Sequence, residues 1–410
     1  MIKSLLVALI LFVLGTNAFA QNTFTISGVV KDNRESLPGA GVYLSGYKVS
    51  TVADNDGRFK ISNLKPGSYD ILVQMVGYLP YSKSVIISDK SVQLELILKE
   101  NTVQLGEVVI RADPNRQKYI NQFKEFFIGK TPNAQQCKIL NPQVLNVDFD
   151  VTKSTLTVST TEFLIVENKA LGYRLKYMLD HFEYNSRTRI IYYSGHPFFE
   201  ELKASAAKKK KYIAAREAAY YGSSQHFFRA LYADKIKEEG FILTKMIKIP
   251  NPNRYPEAVI NENLFKIKTL PEKTGIRKTA GKVDTALLAF WTKQKEMPKT
   301  IDKFSRAELL TDTLVHDYNQ NLKWLNYTDA LCVQYTKEKE SLEYSKTGFW
   351  IFRPLDVPEN EISVVNLMEG PVRFYENGGI YDSRSLLFEG YWAYEKIADM
   401  VPMDYIPLKK

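Results

Sequence analysis

The first hundred residues of this chain contain short segments in which hydrophobic and polar residues alternate. Hydrophobic side chains occupy every second position from Tyr69 to Met75 and again from Val92 to Leu98. Because successive side chains of a strand point to opposite faces, this period of two predicts half-buried strands. Asp56-Gly57 and Pro66-Gly67 separate such segments, and these residue pairs favour chain reversal. The pattern predicts a small antiparallel β-sandwich over residues 22–100.

The residues after position 115 show mixed patterns. Arg116–Ile128 has helical spacing, and five β-branched or aromatic segments with short connections follow between Val144 and Tyr193, which predicts a meander. Further strands are predicted at Gly348–Arg353, Ile362–Leu367 and Leu386–Tyr394. We therefore expect a mostly β, α+β protein: a linker over 101–115, then a β-rich domain over 116–410 with a basic helical insert at about 204–238.

The first twenty residues have the composition of an export signal. Lys3 precedes an apolar run from Leu5 to Leu14, and Ala18-Phe19-Ala20 has the small-x-small pattern of a signal-peptidase site. The apolar run is about ten residues, whereas a spanning helix needs about twenty, so a retained anchor is the alternative. We predict a signal peptide over 1–20, a mature chain from Gln21 without a transmembrane helix, and a location in the periplasm or at the outer membrane.

Positive charge is concentrated in one part of the chain. Lysine and arginine total 55 against 46 acids, and residues 203–248 alone hold eleven basic and four acidic residues. The cluster Lys208–Lys211 is suited to an envelope polymer or an anionic lipid surface. The alternative is a solvated helix face, because long basic side chains cover a helix while keeping their charges in water. Export argues against nucleic acid as the partner.

The basic insert also contains a candidate ligand site. Its spacing places aromatic residues and an arginine on one helix face, provided that the helix continues through Gly222. An arginine between aromatic rings can offer its planar fork to a carboxylate or phosphate. The alternative is an arginine paired with an acid at the edge of the core. The residues predicted to bind a ligand are Tyr212, Arg216, Tyr220, His226 and Arg229.

A second candidate site combines histidines with carboxylates. His181 and Glu183 lie on one predicted strand, and His196 and Glu200 follow on the next. If the two strands pair, these groups could form a proton-transfer or metal site. Pro197 instead favours a strand end, where a histidine is usually a capping or edge residue.

Five ordered blocks between residues 26 and 78 resemble a known domain family. The blocks are Ile26–Val30, Leu37–Val42, Thr51–Phe59, Leu64–Tyr69 and Val76–Tyr78. Together they resemble the carboxypeptidase regulatory-like domain. The resemblance implies a seven-stranded, transthyretin-like β-sandwich with no chemistry of its own.

The resemblance also implies an envelope context. The domain occurs at the N-terminus of TonB-dependent outer-membrane receptors, and Leu105–Ile110 resembles the segment that leads into their plug. The 297 residues from Pro114 onward are too few for a 22-stranded receptor barrel, whose strands take about 10 residues each. Blocks at Cys137–Pro142, Asn168–Tyr173 and Tyr220–Leu231 resemble uncharacterised envelope proteins that carry the same domain in front.

Catalytic motifs are absent from the sequence. Zinc carboxypeptidases need a His-x-x-Glu pair, and the residues three positions after the four histidines are Tyr184, Phe199, Arg229 and Asn319. The sequence also lacks a Gly-x-Ser-x-Gly elbow, a phosphate-binding loop and a His-Glu-x-x-His helix. We therefore predict no catalytic residue, no metal and no cofactor.

These observations favour a secreted cell-envelope protein that acts as a binding, attachment or scaffolding module. One alternative is an envelope peptide or glycan hydrolase that uses His181 and His196 with Glu183 and Glu200. A second is an accessory of a TonB-dependent outer-membrane transporter. Cys137 and Cys332 either form one bridge or are two separately buried thiols.

Overall fold

The computed structural model describes residues 23–101, 114–273, 285–347, 349, 351, 353 and 357–408. The predicted signal peptide, the segment Leu105–Ile110 and nearly all of the predicted linker lie outside these residues.

The N-terminal strands form two facing sheets. One sheet has the order β4-β1-β7, in which β1 and β7 are parallel, and the other has the order β3-β2-β5-β6. The predicted seven-stranded sandwich is confirmed. The strands are β1 (Phe24–Lys31), β2 (Gly41–Leu44), β3 (Ser50–Val52), β4 (Arg58–Leu64), β5 (Gly67–Gln74), β6 (Tyr81–Ile87) and β7 (Val92–Ile97).

Both faces of strand β5 carry buried residues, one in the sandwich core and one against another part of the protein. Tyr69, Ile71 and Val73 point into the sandwich core, as the period of two predicts. Leu72, on the opposite face, is also buried, and it packs against Phe163 and Met178 from the part of the chain that follows the sandwich. The outer face of this sheet is therefore an internal surface of the protein.

A helix and a six-stranded sheet follow. Helix α1 (Arg116–Phe127) packs Phe123 and Phe127 onto the sheet, where Phe123 meets Phe182 edge-on at 5.0 Å between ring centroids. The strands are β8 (Cys137–Ile139), β9 (Leu145–Asp150), β10 (Thr155–Thr160), β11 (Leu164–Asn168), β12 (Tyr173–Asn185) and β13 (Ile191–Glu201).

The predicted meander in this region is wrong, although its strands are present. The order is β8-β11-β12-β10-β9, and β13 also pairs with β12. Strand β12 spans 13 residues, so β11 pairs with its beginning and β10 with its end. A long central strand thus replaces the pairing of β10 with β11 that a meander requires.

The remaining strands form a five-stranded sheet, β15-β14-β18-β19-β21, and a three-stranded sheet, β16-β17-β20. These strands are β14 (Phe241–Pro250), β15 (Thr300–Glu308), β16 (Val315–Asn319), β17 (Leu322–Leu325), β18 (Ala330–Lys339), β19 (Asn360–Leu367), β20 (Val372–Tyr375) and β21 (Leu386–Gly390). The helices after α1 are α2 (Ala206–Tyr220), α3 (Ser224–Tyr232), α4 (Ile236–Glu239), α5 (Glu257–Lys273), α6 (Thr285–Glu296), α7 (Leu342–Ser345) and α8 (Tyr391–Tyr394).

Two of the late strand predictions need correction. The segment Leu386–Tyr394 is a strand only to Gly390, whose φ of +77° turns the chain into α8. The segment Gly348–Arg353 lies partly outside the described residues, and its described positions 349, 351 and 353 are not in a strand. The prediction at Ile362–Leu367 is confirmed by β19.

The sandwich is held to the rest of the protein through the turn between β2 and β3. The Gly46 N–H donates to the Pro197 carbonyl at 2.6 Å, and the Phe199 N–H donates to the Tyr47 carbonyl at 3.0 Å. From the C-terminal segment, the Met403 N–H donates to the Gly46 carbonyl at 2.7 Å. Backbone bonds from two separate segments therefore fix this turn. Within the described residues, no helix is both long and apolar enough to cross a membrane.

Candidate functional site

The basic insert folds as three helices separated by turns. Helix α2 ends before Gly222, which has a φ of +79°, and Ser223 starts α3 by accepting a hydrogen bond from the His226 N–H at 3.2 Å. A Cβ at Gly222 would lie 2.5 Å from Oε2 of Glu361, so glycine is required there. The condition for one shared helix face, a helix that continues through Gly222, is therefore not met, and the candidate residues are distributed over two helices.

The lysine cluster occupies the exposed first turns of α2, and the candidate residues are buried at and beyond Tyr212. Lys208–Lys211 are exposed, whereas Tyr212, Arg216 and Tyr220 are buried. The Lys208 ammonium lies 5.6 Å from the centre of the Tyr212 ring. Exposure of these lysines fits both a solvated helix face and a surface for an anionic partner, so binding by the cluster stays a prediction.

All three nitrogens of the Arg216 guanidinium donate hydrogen bonds to protein groups. Nε donates to the Leu171 carbonyl at 2.8 Å, Nη2 to the Gly172 carbonyl at 3.3 Å, and Nη1 to Oε1 of Glu201 at 3.3 Å. The guanidinium also stacks 3.8 Å from the centre of the Tyr173 ring. These contacts match the alternative of an arginine paired with an acid at the edge of the core, and they fasten α2 to the β11–β12 turn.

Gly172 allows this close contact between the turn and α2. It has a φ of +71°, and a Cβ there would lie 2.2–2.4 Å from atoms of the Tyr212 ring. We expect Gly172→Ala to lower the free energy of unfolding by about 2–4 kcal/mol, through backbone strain plus overpacking. Urea denaturation measures this change. Gly39→Ala is the matched control, because Gly39 has a φ of +81° and nothing within 4 Å of its Cβ position. Equal losses in the two variants would contradict the predicted clash.

Arg229 donates to three backbone carbonyls and so holds distant segments against α3. Its Nε bonds the Asn377 carbonyl at 3.0 Å, Nη2 the Met403 carbonyl at 2.8 Å and Nη1 the Tyr405 carbonyl at 2.7 Å. The guanidinium lies 5.3 Å from the centre of the Tyr220 ring. This arginine therefore clamps the C-terminal segment to the helices.

His226 lies in an aromatic cage beneath the Gly222 turn. Its Nδ1 accepts from the Gly222 N–H at 3.2 Å, which leaves Nε2–H to donate to Oε2 of Glu239 at 3.1 Å. Burial lowers the pKa of His226, and the hydrogen bond to Glu239 opposes this change. The Tyr220 and Phe241 rings lie 5.0 and 4.9 Å from the imidazole. A neutral histidine that connects the turn to α4 fits these contacts.

The five predicted ligand-binding residues thus form two groups. Tyr212 and Arg216 meet at the β11–β12 turn, and Tyr220, His226 and Arg229 meet at the start of α3. All of the contacts described for their polar groups are to protein atoms. Ligand binding by these residues stays a prediction, and their packing shows a structural role.

The histidines and carboxylates of the second candidate site form separate pairs. Strands β12 and β13 do pair, with His196 opposite Met178 and a bulge before His181. Nevertheless, His181 contacts Glu183 at 3.4 Å, His196 contacts Asp180 at 3.5 Å, and Glu200 binds Lys176 at 2.6 Å. Among the residues that the structure describes, no group of three or more His, Cys, Asp or Glu is arranged to hold a metal ion.

Both cysteines are free thiols. Cys137 belongs to the core beneath α1, and Cys332 belongs to a different cluster around Val364. Burial raises the pKa of Cys137 to about 12 and that of Cys332 to about 11, so neither is a reactive thiolate at neutral pH. The structure therefore shows the separately buried thiols and not the bridge.

Glu361 is a buried carboxylate that the sequence patterns did not single out. Its side chain lies under the Gly222 turn, beside Tyr391, and only 7% of the residue is exposed. Burial, reinforced by the nearby Glu338, raises its pKa to about 8. Alternation in β19 does not predict a buried glutamate there, because Ile362 and Val364 occupy the other face of the strand and residues 361–365 are all buried.

A basic groove of about 500 Å³ lies between α1 and the segment that contains β8. Three cations and three carboxamides line it: Arg116, Lys124, Lys138, Gln117, Asn121 and Gln143. Sequence reasoning missed this groove because its two walls lie on either side of a connection, and no pattern predicts that they face each other. A smaller cleft of about 340 Å³ between α4 and β14 is lined by both acids and lysines.

The fold and the sequence define the class of the N-terminal part. Residues 26–110 match the family described as CarboxypepD_reg-like domain, in agreement with the seven-stranded sandwich. The N-terminal part of this chain is therefore a carboxypeptidase regulatory-like domain.

A particular relative shares this region. The TonB-dependent receptor SusC of Bacteroides thetaiotaomicron is 38% identical over 111 residues, which cover 27% of this chain and 10% of the receptor. The chain thus spans about a tenth of the length of the curated relative it matches.

Solved structures give weaker likenesses. A putative carbohydrate binding protein from Bacteroides uniformis is 10% identical, with a TM-score of 0.17, and the match covers 38% of this chain and 57% of that one. The minor pilin GBS52 of Streptococcus agalactiae is 17% identical with a TM-score of 0.17, and the match covers 20% of this chain and 45% of that one. Scores of this size establish no relationship.

Proposed function

We propose that this protein is exported to the cell envelope and acts there by binding, as an attachment or scaffolding protein. The observation that carries the proposal is the fixed docking of the regulatory-like sandwich. The turn between β2 and β3 is bonded to both β13 and the C-terminal segment, and Leu72 is buried against the second domain. A sandwich fixed in this way presents its exposed strands and loops in a constant orientation, which suits a scaffold.

The side-chain chemistry supports binding over catalysis. The guanidinium groups of Arg216 and Arg229 donate hydrogen bonds to backbone carbonyls, and that of Arg216 also donates to Glu201. His181 and His196 contact different acids. A hydrolase of the kind considered above needs an acid and a base that converge on one substrate atom. In the described residues the two histidines contact different acids and share none.

Fractionation of cells that produce the tagged full-length chain tests the proposal. We expect the protein in the periplasmic or outer-membrane fraction, cross-linked to an envelope component. The hydrolase alternative is tested on the purified chain with envelope peptides and glycans as substrates. Turnover that disappears in His196→Ala, but persists in a His316→Ala control, would contradict the proposal. Recovery in the cytoplasm alone would also contradict it.

A second candidate function is that of an accessory to a TonB-dependent outer-membrane transporter. The 38% identity to a receptor over the N-terminal region favours it. Photo-cross-linkers test it, with one placed at Val76, which is 98% exposed between β5 and β6, and one at Val151, which is 76% exposed on the second domain. We expect a receptor adduct from position 76 and none from position 151. Equal labelling, or no receptor adduct, would count against this candidate.

A further inference from the structure

One wall of the basic groove is the open edge of a sheet. Strand β8 is terminal in its sheet and pairs with β11. The Leu140 N–H donates to the Ile165 carbonyl, and the Lys169 N–H donates to the Gln136 carbonyl. Because hydrogen-bonded positions alternate along an antiparallel pair, the N–H and C=O of Ile139 point away from β11. Ile139 therefore offers one donor and one acceptor at the open edge.

The opposite wall is a cationic face of α1. Arg116, Ile120 and Lys124 recur every four residues, so they lie along one side of the helix over about 12 Å. None of the nine residues that line the groove is acidic. No ion pair joins Arg116, Lys124 or Lys138 to an acid within the described parts of the chain. The lining of the groove is thus positively charged, although Nη2 of Arg116 also donates to the Leu145 carbonyl at 2.8 Å and Glu167 lies opposite Lys138 across the β8–β11 pair.

The floor between the two walls is apolar. Ile120, Ile139 and Pro142 also line the groove, and Ile120 and Ile139 pack against the core. Side chains of an extended peptide alternate between two faces, so one set can contact this floor while the next set meets the lysines. A strand edge that faces a helix is a geometry in which extended peptides are recognised by strand addition.

We propose that this groove binds an acidic peptide segment in extended conformation, which pairs with β8 and places carboxylates against Arg116, Lys124 and Lys138. The inference rests on the proposed function, namely that the protein acts by binding. Main-chain donors and acceptors at Ile139 match a peptide, whereas a glycan has no alternating amides to pair with them. A membrane surface meets protruding charges such as the exposed Lys208–Lys211 cluster more readily than charges inside a groove.

Fluorescence anisotropy of the purified full-length chain tests the proposal, with a labelled heptapeptide of alternating glutamate and valine as the probe. We expect saturable binding that weakens as salt is added. Lys124→Gln/Lys138→Gln should weaken binding about 10-fold or more, whereas the charge-matched control Lys118→Gln/Lys209→Gln should change it less than about twofold. A probe that is N-methylated on alternate amides should lose about 10-fold as well, because it cannot complete the strand pairing.

Three results would overturn the inference. The first is the absence of saturable binding of the heptapeptide, and the second is equal binding of its N-methylated form. The third is preferential binding of oligogalacturonate or phosphatidylglycerol vesicles that Lys124→Gln/Lys138→Gln abolishes. Envelope fractionation of the parent chain separates the two proposals, because a parent chain that forms an envelope complex but does not bind the heptapeptide overturns only this inference. Loss of any envelope complex in the parent chain overturns the proposed function.

Discussion

Arg229→Ala should lower the free energy of unfolding by about 3–5 kcal/mol, because it leaves three backbone carbonyls without their charged donor. These carbonyls belong to Asn377, Met403 and Tyr405, and each lies within 3.0 Å of the guanidinium nitrogen that bonds it. The substitution also removes the cation above the Tyr220 ring. Chemical denaturation followed by tryptophan fluorescence measures the loss. Limited proteolysis should then cleave within 400–408, which the clamp protects in the parent chain.

Two further variants make this prediction specific. Arg229→Lys should recover only part of the stability, because an ammonium group cannot reach three carbonyls in the planar geometry of arginine. Arg34→Ala should change stability by less than about 0.5 kcal/mol, because the Arg34 side chain is 82% exposed and its ion pair with Glu100 is 3.8 Å long. A loss below about 1 kcal/mol in Arg229→Ala would show that the clamp carries little of the stability.

Glu361→Gln should change the pH dependence of stability. The pKa of Glu361 is raised from its ordinary value of 4.5 to about 8, so between these values the folded state binds more protons than the unfolded state. Stability from this group is therefore complete below about pH 4.5 and decreases as the pH rises to about 8. Glutamine keeps a polar group beside Tyr391 without an ionisable proton. Between pH 5 and pH 9 the variant should lose about 2–4 kcal/mol less stability than the parent chain.

Denaturation midpoints at several pH values measure this difference. Glu369→Gln is the matched control, because Glu369 is exposed and lies just beyond the same strand. The control should follow the pH profile of the parent chain. Parallel profiles for Glu361→Gln and the parent chain would show that Glu361 is not the group that titrates with a raised pKa.

Local patterns predicted the elements of this fold better than their arrangement. The spacing of Arg116–Ile128 predicted α1, which ends one residue earlier, and the alternation in the first hundred residues predicted the sandwich. The helix does not continue through Gly222, as a single shared face required, because a glycine at positive φ ends it despite the favourable spacing around it. The meander was wrong because the length of β12 determines which strands reach it. Strand pairing depends on tertiary geometry that periodicity does not encode.

The candidate sites show the same limit. An arginine between aromatic rings has the same spacing whether it faces a ligand or a backbone carbonyl. Only the fold brings the Leu171 carbonyl to Arg216 and the Met403 carbonyl to Arg229. Similarly, β12 pairs with β13, as the predicted histidine site required. The register shift between Leu179 and His181, however, falls between the pair that contains His196 and the pair that contains His181. The basic groove is lined by residues of both α1 and the β8 segment, which are separated in the sequence. Neither segment alone therefore predicts that a groove forms between them.

The bonds between the β2–β3 turn and the C-terminal segment have a consequence for biogenesis. Asn377 donates to the Tyr47 hydroxyl across a sequence separation of 330, and the Met403 N–H reaches back to Gly46. Such contacts give the chain a high contact order, so the sandwich can form early but can dock only after residues 377–403 have emerged. The export proposed above is compatible with this sequence of events, because a chain that crosses a membrane unfolded would dock its sandwich only after the last segments have crossed.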